Sequence, residues 1–391
     1  MKLKLDFNLM IKTMLLFPVL TVLQGLPYLN SINRIAIAFL MFQLFFSFKY
    51  IQYNIKDLLI IFLTFVIHVI AFFYTEGKFY NFNMVFYLML WVLIYIILAK
   101  KKNDLFRFFD CNKKYAMNIV KIWEFIVIIS IPFSRSYQFG AFKSFCDQPF
   151  RLMPTTLVIL SLIFIYQNKE DDNRYYWYMI VPAFTAFMGF SRTYFAIFIM
   201  VFFIHLFYRI KDKRMLFIVG IPIIIVFYFI TINSAIGDKF ISASYTSNSY
   251  FDFWGTITSG RTVFWEIDIN AFKGLPLWNR IVGNGYNFVF YVNERSGHGD
   301  IWAHNDIINI LMNFGYIGVI VYLYAFVRLV MPFFKTNRYR IAKYGFLFMV
   351  FFNSMMNMSY TYLCAFISYP IFLVGYAYIN GGIQNVSNQI R

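Results

Sequence analysis

The sequence has few charged residues and few cysteines for its length. Only 14% of its 391 residues are Asp, Glu, Lys or Arg, against about a quarter in ordinary soluble domains. Its three cysteines, Cys111, Cys146 and Cys364, lie far apart and form no metal-ligand pattern, and we expect no intrachain disulfide. The chain also has no phosphate loop, no zinc pattern and no Asp-rich metal motif. We therefore expect neither a metal nor a cofactor.

Apolar residues are abundant. They make up 60% of the chain, and 23% of all residues are aromatic, which excludes a disordered chain. A soluble fold could not bury so much apolar surface, so a soluble enzyme is excluded. Apolar runs long enough to cross ~30 Å of hydrocarbon recur along the whole length. They predict an all-α polytopic membrane protein of about 12 transmembrane helices, near 12–29, 32–48, 58–74, 82–99, 118–133, 152–167, 175–190, 193–208, 215–234, 305–331, 343–358 and 360–380.

The net charge of +17 fits this topology better than it fits nucleic-acid binding. If the N-terminus is cytoplasmic, the inner segments hold about twice as many Lys and Arg as the outer ones, as the positive-inside rule requires. Both termini are then cytoplasmic. The predicted organisation is a single integrated membrane domain: residues 1–234 with spans one to nine, a large periplasmic loop over 235–303, and residues 304–391 with spans ten to twelve.

His304 lies where the chain re-enters the membrane after the long loop. A neutral imidazole there can accept a proton from a sugar hydroxyl, because its pKa lies near working pH. The alternative is an interfacial His bonded to a backbone carbonyl. Arg192, Arg261 and Arg280 are predicted on the same outer side. Guanidinium groups suit phosphate oxygens, whereas snorkelling to lipid headgroups is the alternative role for Arg192.

Other loop residues are weaker candidates. The amides around Gly283 and Gly285 could approach an anion, although two glycines are more often a plain turn. Trp265 could stack on a sugar or belong to an interfacial aromatic belt. The acidic residues of the loop offer alternative general bases, and no spacing singles out a pair among Asp252, Glu266, Asp268, Glu294 and Asp300.

A family resemblance rests on the end of the loop and the following span. His304-Asn305, nine residues, Gly315, two residues and Gly318 resemble the signature of the O-antigen ligase and polymerase superfamily. Ser259-Gly260-Arg261 and the upstream Ser191-Arg192 resemble further parts of the family pattern in the same order. Phe272 stands where some polymerases of this type carry a Gly after Arg261, so the two-loop pattern of those polymerases is not supported.

The resemblance implies a C-type-glycosyltransferase-like fold in the bacterial inner membrane. It implies metal-independent, inverting transfer of polyprenyl-diphosphate-linked glycan at the periplasmic face. By resemblance, Arg192 and Arg261 would bind the donor diphosphate, and His304 would activate the acceptor hydroxyl. Asn305 would support the His or bind substrate. Arg280, Gly283, Gly285 and Trp265 are further expected substrate contacts.

The choice of reaction within the family stays open. We favour a polymerase that joins lipid-linked repeat units into O-antigen or capsular polysaccharide. A ligase that transfers glycan to lipid A-core is the alternative. A lipid-linked oligosaccharide flippase and a membrane acyltransferase represent other classes. The flippase should line its cavity with intramembrane charge, and this sequence has little of it. Expected partners are the lipid-linked glycan and membrane lipid, with a chain-length regulator left open and no nucleic acid.

Overall fold

A computed structural model gives the fold. It describes residues 7–47, 51–75, 84–134, 141–189, 191–209, 214, 261–299, 301–334 and 340–379, in which all regular secondary structure is helical. The first nine helices are α1 (Phe7–Val22), α2 (Leu29–Ser47), α3 (Ile55–Tyr74), α4 (Met84–Lys100), α5 (Lys102–Cys111), α6 (Lys113–Ser130), α7 (Pro149–Glu170), α8 (Ile180–Met188) and α9 (Arg192–Arg209).

Six α-helices are described after residue 260. They are α10 (Arg261–Lys273), α11 (Leu277–Val282), α12 (Phe288–Arg295), α13 (Asp306–Phe334), α14 (Arg340–Asn357) and α15 (Leu363–Ile379). Short 3-10 helices, Asn173–Met179 and Ser359–Thr361, precede α8 and α15. The centre of the bundle is α7, which packs along α15 and α1 and buries nearly all of its side chains.

The all-helical class is confirmed for the described residues. Of the twelve predicted spans, eleven overlap helices, and 215–234 lies outside the described residues. Four helices, α2, α3, α7 and α13, are long and apolar enough to cross a membrane. Shorter apolar helices lie within α1, α4, α9 and α15. The number of spans and the domain boundaries stay predictions.

One end of the bundle is marked by basic residues around a buried carboxylate. Asp57, at the start of α3, is fully buried and accepts hydrogen bonds from Arg328 Nε at 2.9 Å and Tyr324 OH at 2.9 Å. Lys100 Nζ lies 3.4 Å from the same carboxylate. Lys102 Nζ donates to the Pro332 carbonyl at 2.8 Å. These contacts bring the ends of α4 and α13 beside the start of α3, and we call this the basic end.

The opposite end of the bundle contains the end of α3 and the beginning of α13. Tyr286 N, in the segment before α12, donates to Thr75 Oγ1 at 2.9 Å. Between the two ends, α2, α3, α6, α13 and α14 expose large apolar side chains to the outside. Phe62, Phe125 and Ile320 are each more than half exposed. Such a continuous apolar exterior suits hydrocarbon rather than water.

The predicted long loop contains ordered helices. Its described part, 261–299, forms α10, α11 and α12, which pack on the first half of α13 around a small core of Phe272, Val289, Ala303, Ile308 and Met312. The assignment of this segment to the periplasm stays a prediction. Its apolar residues were not arranged in a run long enough to predict these short helices.

Glycines allow α11 to approach α13. Gly315 interrupts α13 with φ +66°, a left-handed conformation that glycine adopts without steric cost. A Cβ atom there would overlap the Ile281 carbonyl oxygen and Gly283 N. Gly283, at φ +88°, faces the Asn313 carbonyl equally closely. The close approach at Gly315 is therefore made by the backbone of α11. At Gly318, the atoms nearest to a Cβ position belong to Phe314 and Ile310 of the same helix.

We predict that Gly315→Ala destabilises the protein more than Gly299→Ala does. Gly299 also has positive φ, +78°, but has no atom within 4 Å of a Cβ position. Both substitutions place a side chain on a backbone with positive φ, and only Gly315→Ala adds overlap, which typically costs about 1–3 kcal/mol. Thermal unfolding in detergent measures the difference. Equal melting temperatures for the two variants would contradict the close contact.

Candidate functional site

The beginning of α13 is built by Asn305. Its side-chain Oδ1 accepts the Ile308 backbone N–H at 3.1 Å, and its carbonyl accepts the Asn309 N–H at 2.9 Å. This is the geometry of a helix N-cap, for which Asn is among the best residues. Asn305 is almost fully buried, and its Nδ2 lies 3.3 Å from Met355 Sδ at the end of α14. Asn305 therefore fixes the helix start directly beside His304.

Asp306 ties this helix start to the turn between α14 and α15. The carboxylate is fully buried and accepts hydrogen bonds from Ser359 Oγ at 2.6 Å and Tyr322 OH at 2.8 Å. The Tyr360 backbone N–H lies 3.4 Å away. Asn309 Nδ2 donates to Tyr360 OH. Several hydrogen-bond donors therefore surround the buried carboxylate. Loss of these donors would leave it without hydrogen bonds, which costs much free energy in a buried site.

His304 lies immediately before this cap in a left-handed conformation, at φ +52°. The imidazole is partly buried. Burial lowers the pKa of His304, and the positive charge of Arg261 lowers it further. The ring is therefore neutral at neutral pH, and its pKa lies below the near-neutral value expected from the sequence. The backbone conformation is one that His adopts more readily than most residues, but it still costs energy.

Arg261 begins α10 and reaches the end of α14. Its Nη1 donates to the Met356 carbonyl oxygen. Met355 contacts the cap residue Asn305, so Arg261 and Asn305 hold adjacent residues of α14. The structure thus brings together the predicted pair of His304 and Arg261, which are far apart in sequence. Arg261 therefore places a positive charge near the neutral imidazole of His304.

The segment leading into His304 is held by side chains of α10 and α12. Trp265 Nε1 donates to the Ala303 carbonyl at 2.6 Å. The ring of Trp302 packs edge-on against Phe290, with centroids 4.4 Å apart. Asn293 Nδ2 donates to the Ile301 carbonyl at 3.1 Å. Trp265 was predicted to contact substrate. Its indole N–H instead positions the His304 segment, and a role in sugar stacking stays a prediction.

The remaining predicted site residues are less directly connected to His304. Arg192 is the first residue of α9, and its side chain is outside the described part of the structure. Tyr208 OH, near the end of α9, accepts the Ala342 backbone N–H near the start of α14. The start of α9 therefore lies toward the end of the bundle that contains His304. Arg280 is partly buried on α11, and its Nε has no hydrogen-bond partner among the described residues.

The glycine segment has a packing role that its sequence did not reveal. Asn284 N and Gly285 N donate to the carbonyls of Met312 and Asn313 at 3.3 and 3.2 Å, and Gly283 N donates to Asn279 O at 2.8 Å. These amides are therefore engaged by protein carbonyls, two of which belong to α13. Substrate binding by Gly283 and Gly285 stays a prediction.

The acidic alternatives differ in environment. Asp268 is fully buried, and burial raises the pKa of its carboxyl, while a hydrogen bond from Asn293 at 3.3 Å opposes that shift. Glu266 and Glu294 are exposed, and Asp252 and Asp300 lie outside the described residues. No group of three or more His, Cys, Asp or Glu side chains suited to a metal ion occurs in the described part of the chain.

The hydrogen bonds that Asp306 and Asn309 make at the site were not predicted from the sequence. The sequence contained a signal for them: Asn305, Asn309 and Asn313 recur every four residues in an otherwise apolar helix. Polar residues at that spacing share one helix face and often bond to a neighbouring helix. The partners Ser359 and Tyr360 lie in a distant turn and could be found only from the fold.

These features define a helical membrane-protein architecture with a polar site at the start of one long helix. Residues 177–323 match the family model Wzy_C, described as O-antigen ligase. The match includes both Ser191-Arg192 and the complete His304–Gly318 motif. This segment therefore resembles a domain of the O-antigen ligase and polymerase superfamily, whose members are membrane glycosyltransferase-type enzymes. A comparison with curated proteins finds no match to the chain.

The match supports the class of protein that the motif predicted. It indicates a bacterial membrane protein with activity of the O-antigen ligase or polymerase type. It implies lipid-linked glycan substrates in a membrane. The four long apolar helices agree with that setting.

We predict that His304 titrates well below the ordinary histidine pKa of about 6.5 and that Arg261→Met raises its pKa. The reason is the loss of a nearby positive charge, which disfavours protonation in the native protein. NMR of labelled histidine measures this, because the chain has only four His residues. Lys273→Met, at the other end of α10, is the control for charge removal. An unchanged His304 pKa in Arg261→Met would contradict the pairing.

Proposed function

We propose that this protein is a polysaccharide polymerase that joins polyprenyl-diphosphate-linked repeat units at the periplasmic face of the inner membrane. The observation that carries the proposal is the neutral, partly buried His304 beside Arg261, at the start of α13. A base and a fixed cation are the two functions that glycosyl transfer from a diphosphate requires. Both residues belong to the matched family segment.

Arg261 and Arg192 bind the donor diphosphate in this proposal. The bond between the anomeric carbon and the diphosphate oxygen breaks, and negative charge develops on the leaving polyprenyl diphosphate. Guanidinium groups stabilise that charge without a proton transfer or a metal ion. Anchoring of Arg261 to the Met356 carbonyl orients its guanidinium before substrate arrives. Prior orientation of a charge reduces the reorganisation needed in the transition state.

His304 accepts the proton of the acceptor hydroxyl as that oxygen attacks the anomeric carbon. Its lowered pKa keeps the imidazole unprotonated before the reaction. Attack on the side opposite the diphosphate inverts the anomeric configuration. Asn305 and Asp306 act through the helix start that they stabilise, and Trp265 acts through the Ala303 carbonyl that it binds.

The two ends of the bundle support a proposed orientation in the membrane. Asp57 and its cationic partners lie at the basic end, away from His304. The positive-inside rule assigns a basic end to the cytoplasm, so the His304 end would face the periplasm, with both termini cytoplasmic. The helices α10–α12 and the rest of 235–303 would then form the periplasmic loop above the site.

Polymerase and ligase differ in the acceptor, and the deletion phenotype separates them. Loss of a polymerase leaves a single repeat unit on its normal acceptor. Loss of a ligase abolishes surface attachment and accumulates long chains on the polyprenyl carrier. We favour the polymerase because the chain is rich in Phe, Ile, Tyr, Asn and Lys, residues whose codons are AT-rich. Ligation to lipid A-core is the alternative.

We predict that His304→Ala abolishes long glycan chains when it replaces the wild-type protein in a deletion strain of the native host. Loss of a general base lowers the rate by about 10²–10⁴-fold. His298→Ala is the matched control, because His298 lies in the same segment but is exposed. Gel analysis of surface polysaccharide and a membrane blot measure chain length and protein amount.

Arg261→Ala should give the same loss as His304→Ala, with protein still present in the membrane. Wild-type chain lengths from either variant would contradict the proposed roles. Long chains lost from the surface but retained on the carrier would favour the ligase instead.

A further inference from the structure

A second polar pocket lies at the basic end. It has a volume of about 400 Å³ and is formed by the first half of α6, the end of α7 and the 3-10 helix Asn173–Met179. Lys113 Nζ contacts Glu170 at 2.5 Å beside it, and Lys169 Nζ, also at the end of α7, contacts Asp110 at 2.5 Å. These contacts connect the pocket to α5 and to the basic end. No residue of the His304 site lines it.

The pocket has an excess of positive charge. Its walls contain four cationic side chains and two carboxylates. Lys113 pairs with Glu170, and Arg174 Nη2 pairs with Asp172 at 2.7 Å. Neither of the other two cations, Lys114 and Lys121, forms an ion pair within 4 Å with a carboxylate among the described residues.

Lys114 and Lys121 point to one ligand because of their spacing. They are seven residues apart on α6 and therefore share a helix face. Both side chains line the pocket, together with the ring of Tyr178. The carboxyl group of Glu124 lies within electrostatic range of Lys121. A phosphate group in the pocket would meet two ammonium groups and complete their pairing.

The surface next to Lys121 is apolar and exposed. Ile122 is 46% exposed, Phe125 64% and Ile129 42%, all on α6 immediately beyond the pocket. Trp177, at the rim, is 74% exposed, and Trp is typical of membrane–water interfaces. A ligand with a phosphate at Lys114 and Lys121 and acyl chains along α6 fits both surfaces. A free phosphate would contact only the polar pocket and not the apolar surface of α6.

We propose that this pocket binds the phosphate headgroup of an anionic phospholipid, with its acyl chains lying along α6. Basic pockets between helices near the membrane surface have this chemistry. The site is separate from the transfer reaction and lies at the opposite end of the bundle. Its occupant would be held at α6 by the two lysines.

The test is lipid binding by the purified full-length protein in detergent. Phosphatidylglycerol, phosphatidylcholine and inorganic phosphate are added separately, and bound lipid is counted by native mass spectrometry, with melting temperature as a second readout. We expect phosphatidylglycerol to bind and stabilise, and phosphatidylcholine and inorganic phosphate to do neither. The double variant Lys114→Gln/Lys121→Gln should weaken phosphatidylglycerol binding by about 5-fold for each lysine removed.

The control is Lys56→Gln/Lys273→Gln, which removes two exposed lysines elsewhere. Lys56 is adjacent to exposed apolar residues of α3, so it tests for non-specific headgroup attraction. This control should bind phosphatidylglycerol like the wild type. Equal loss in both double variants, or equal binding of the two lipids, would overturn the proposal. Stabilisation by inorganic phosphate equal to that by phosphatidylglycerol would overturn the assignment to a lipid.

Discussion

The buried carboxylate of Asp306 is the interaction on which the candidate site depends. It joins the start of α13 to Ser359 and to Tyr322 further along the same helix. A buried charge of this kind is tolerated only when its donors remain in place. The cap by Asn305 and the unusual backbone of His304 are adjacent to this carboxylate, so the imidazole position follows from it. In the proposed reaction, that fixed position is what allows His304 to meet the acceptor hydroxyl.

A second constraint is that glycines, which have no side chain, stand where the end of α11 meets α13. Gly283 and Gly315 bring two backbones into contact, and the Asn284 amide bonds to the Met312 carbonyl there. The contact connects the short helices of the loop to the helix that carries the site. The short helices and the first half of α13 therefore pack around one small core that includes Phe272 and Val289.

Sequence reasoning was most successful where a local pattern sufficed. Apolar runs predicted the long helices, and the His304–Gly318 motif predicted the family, because both signals are contained in short stretches of chain. It could not predict Ser359 and Tyr360 as partners of Asp306, because they lie in a turn over fifty residues away. It also could not predict that the amides of Asn284 and Gly285 bond to carbonyls of α13, because that contact depends on tertiary packing.

Reconstitution of the transfer reaction tests the central claim most directly. The purified protein would be placed in lipid nanodiscs with a polyprenyl-diphosphate-linked repeat unit from the native host, without added metal and with a chelator present. Our account predicts glycans of two or more repeat units, released polyprenyl diphosphate in matching amount, and neither product from His304→Ala. Unchanged substrate with the wild-type protein, or elongation by His304→Ala at the wild-type rate, would contradict it.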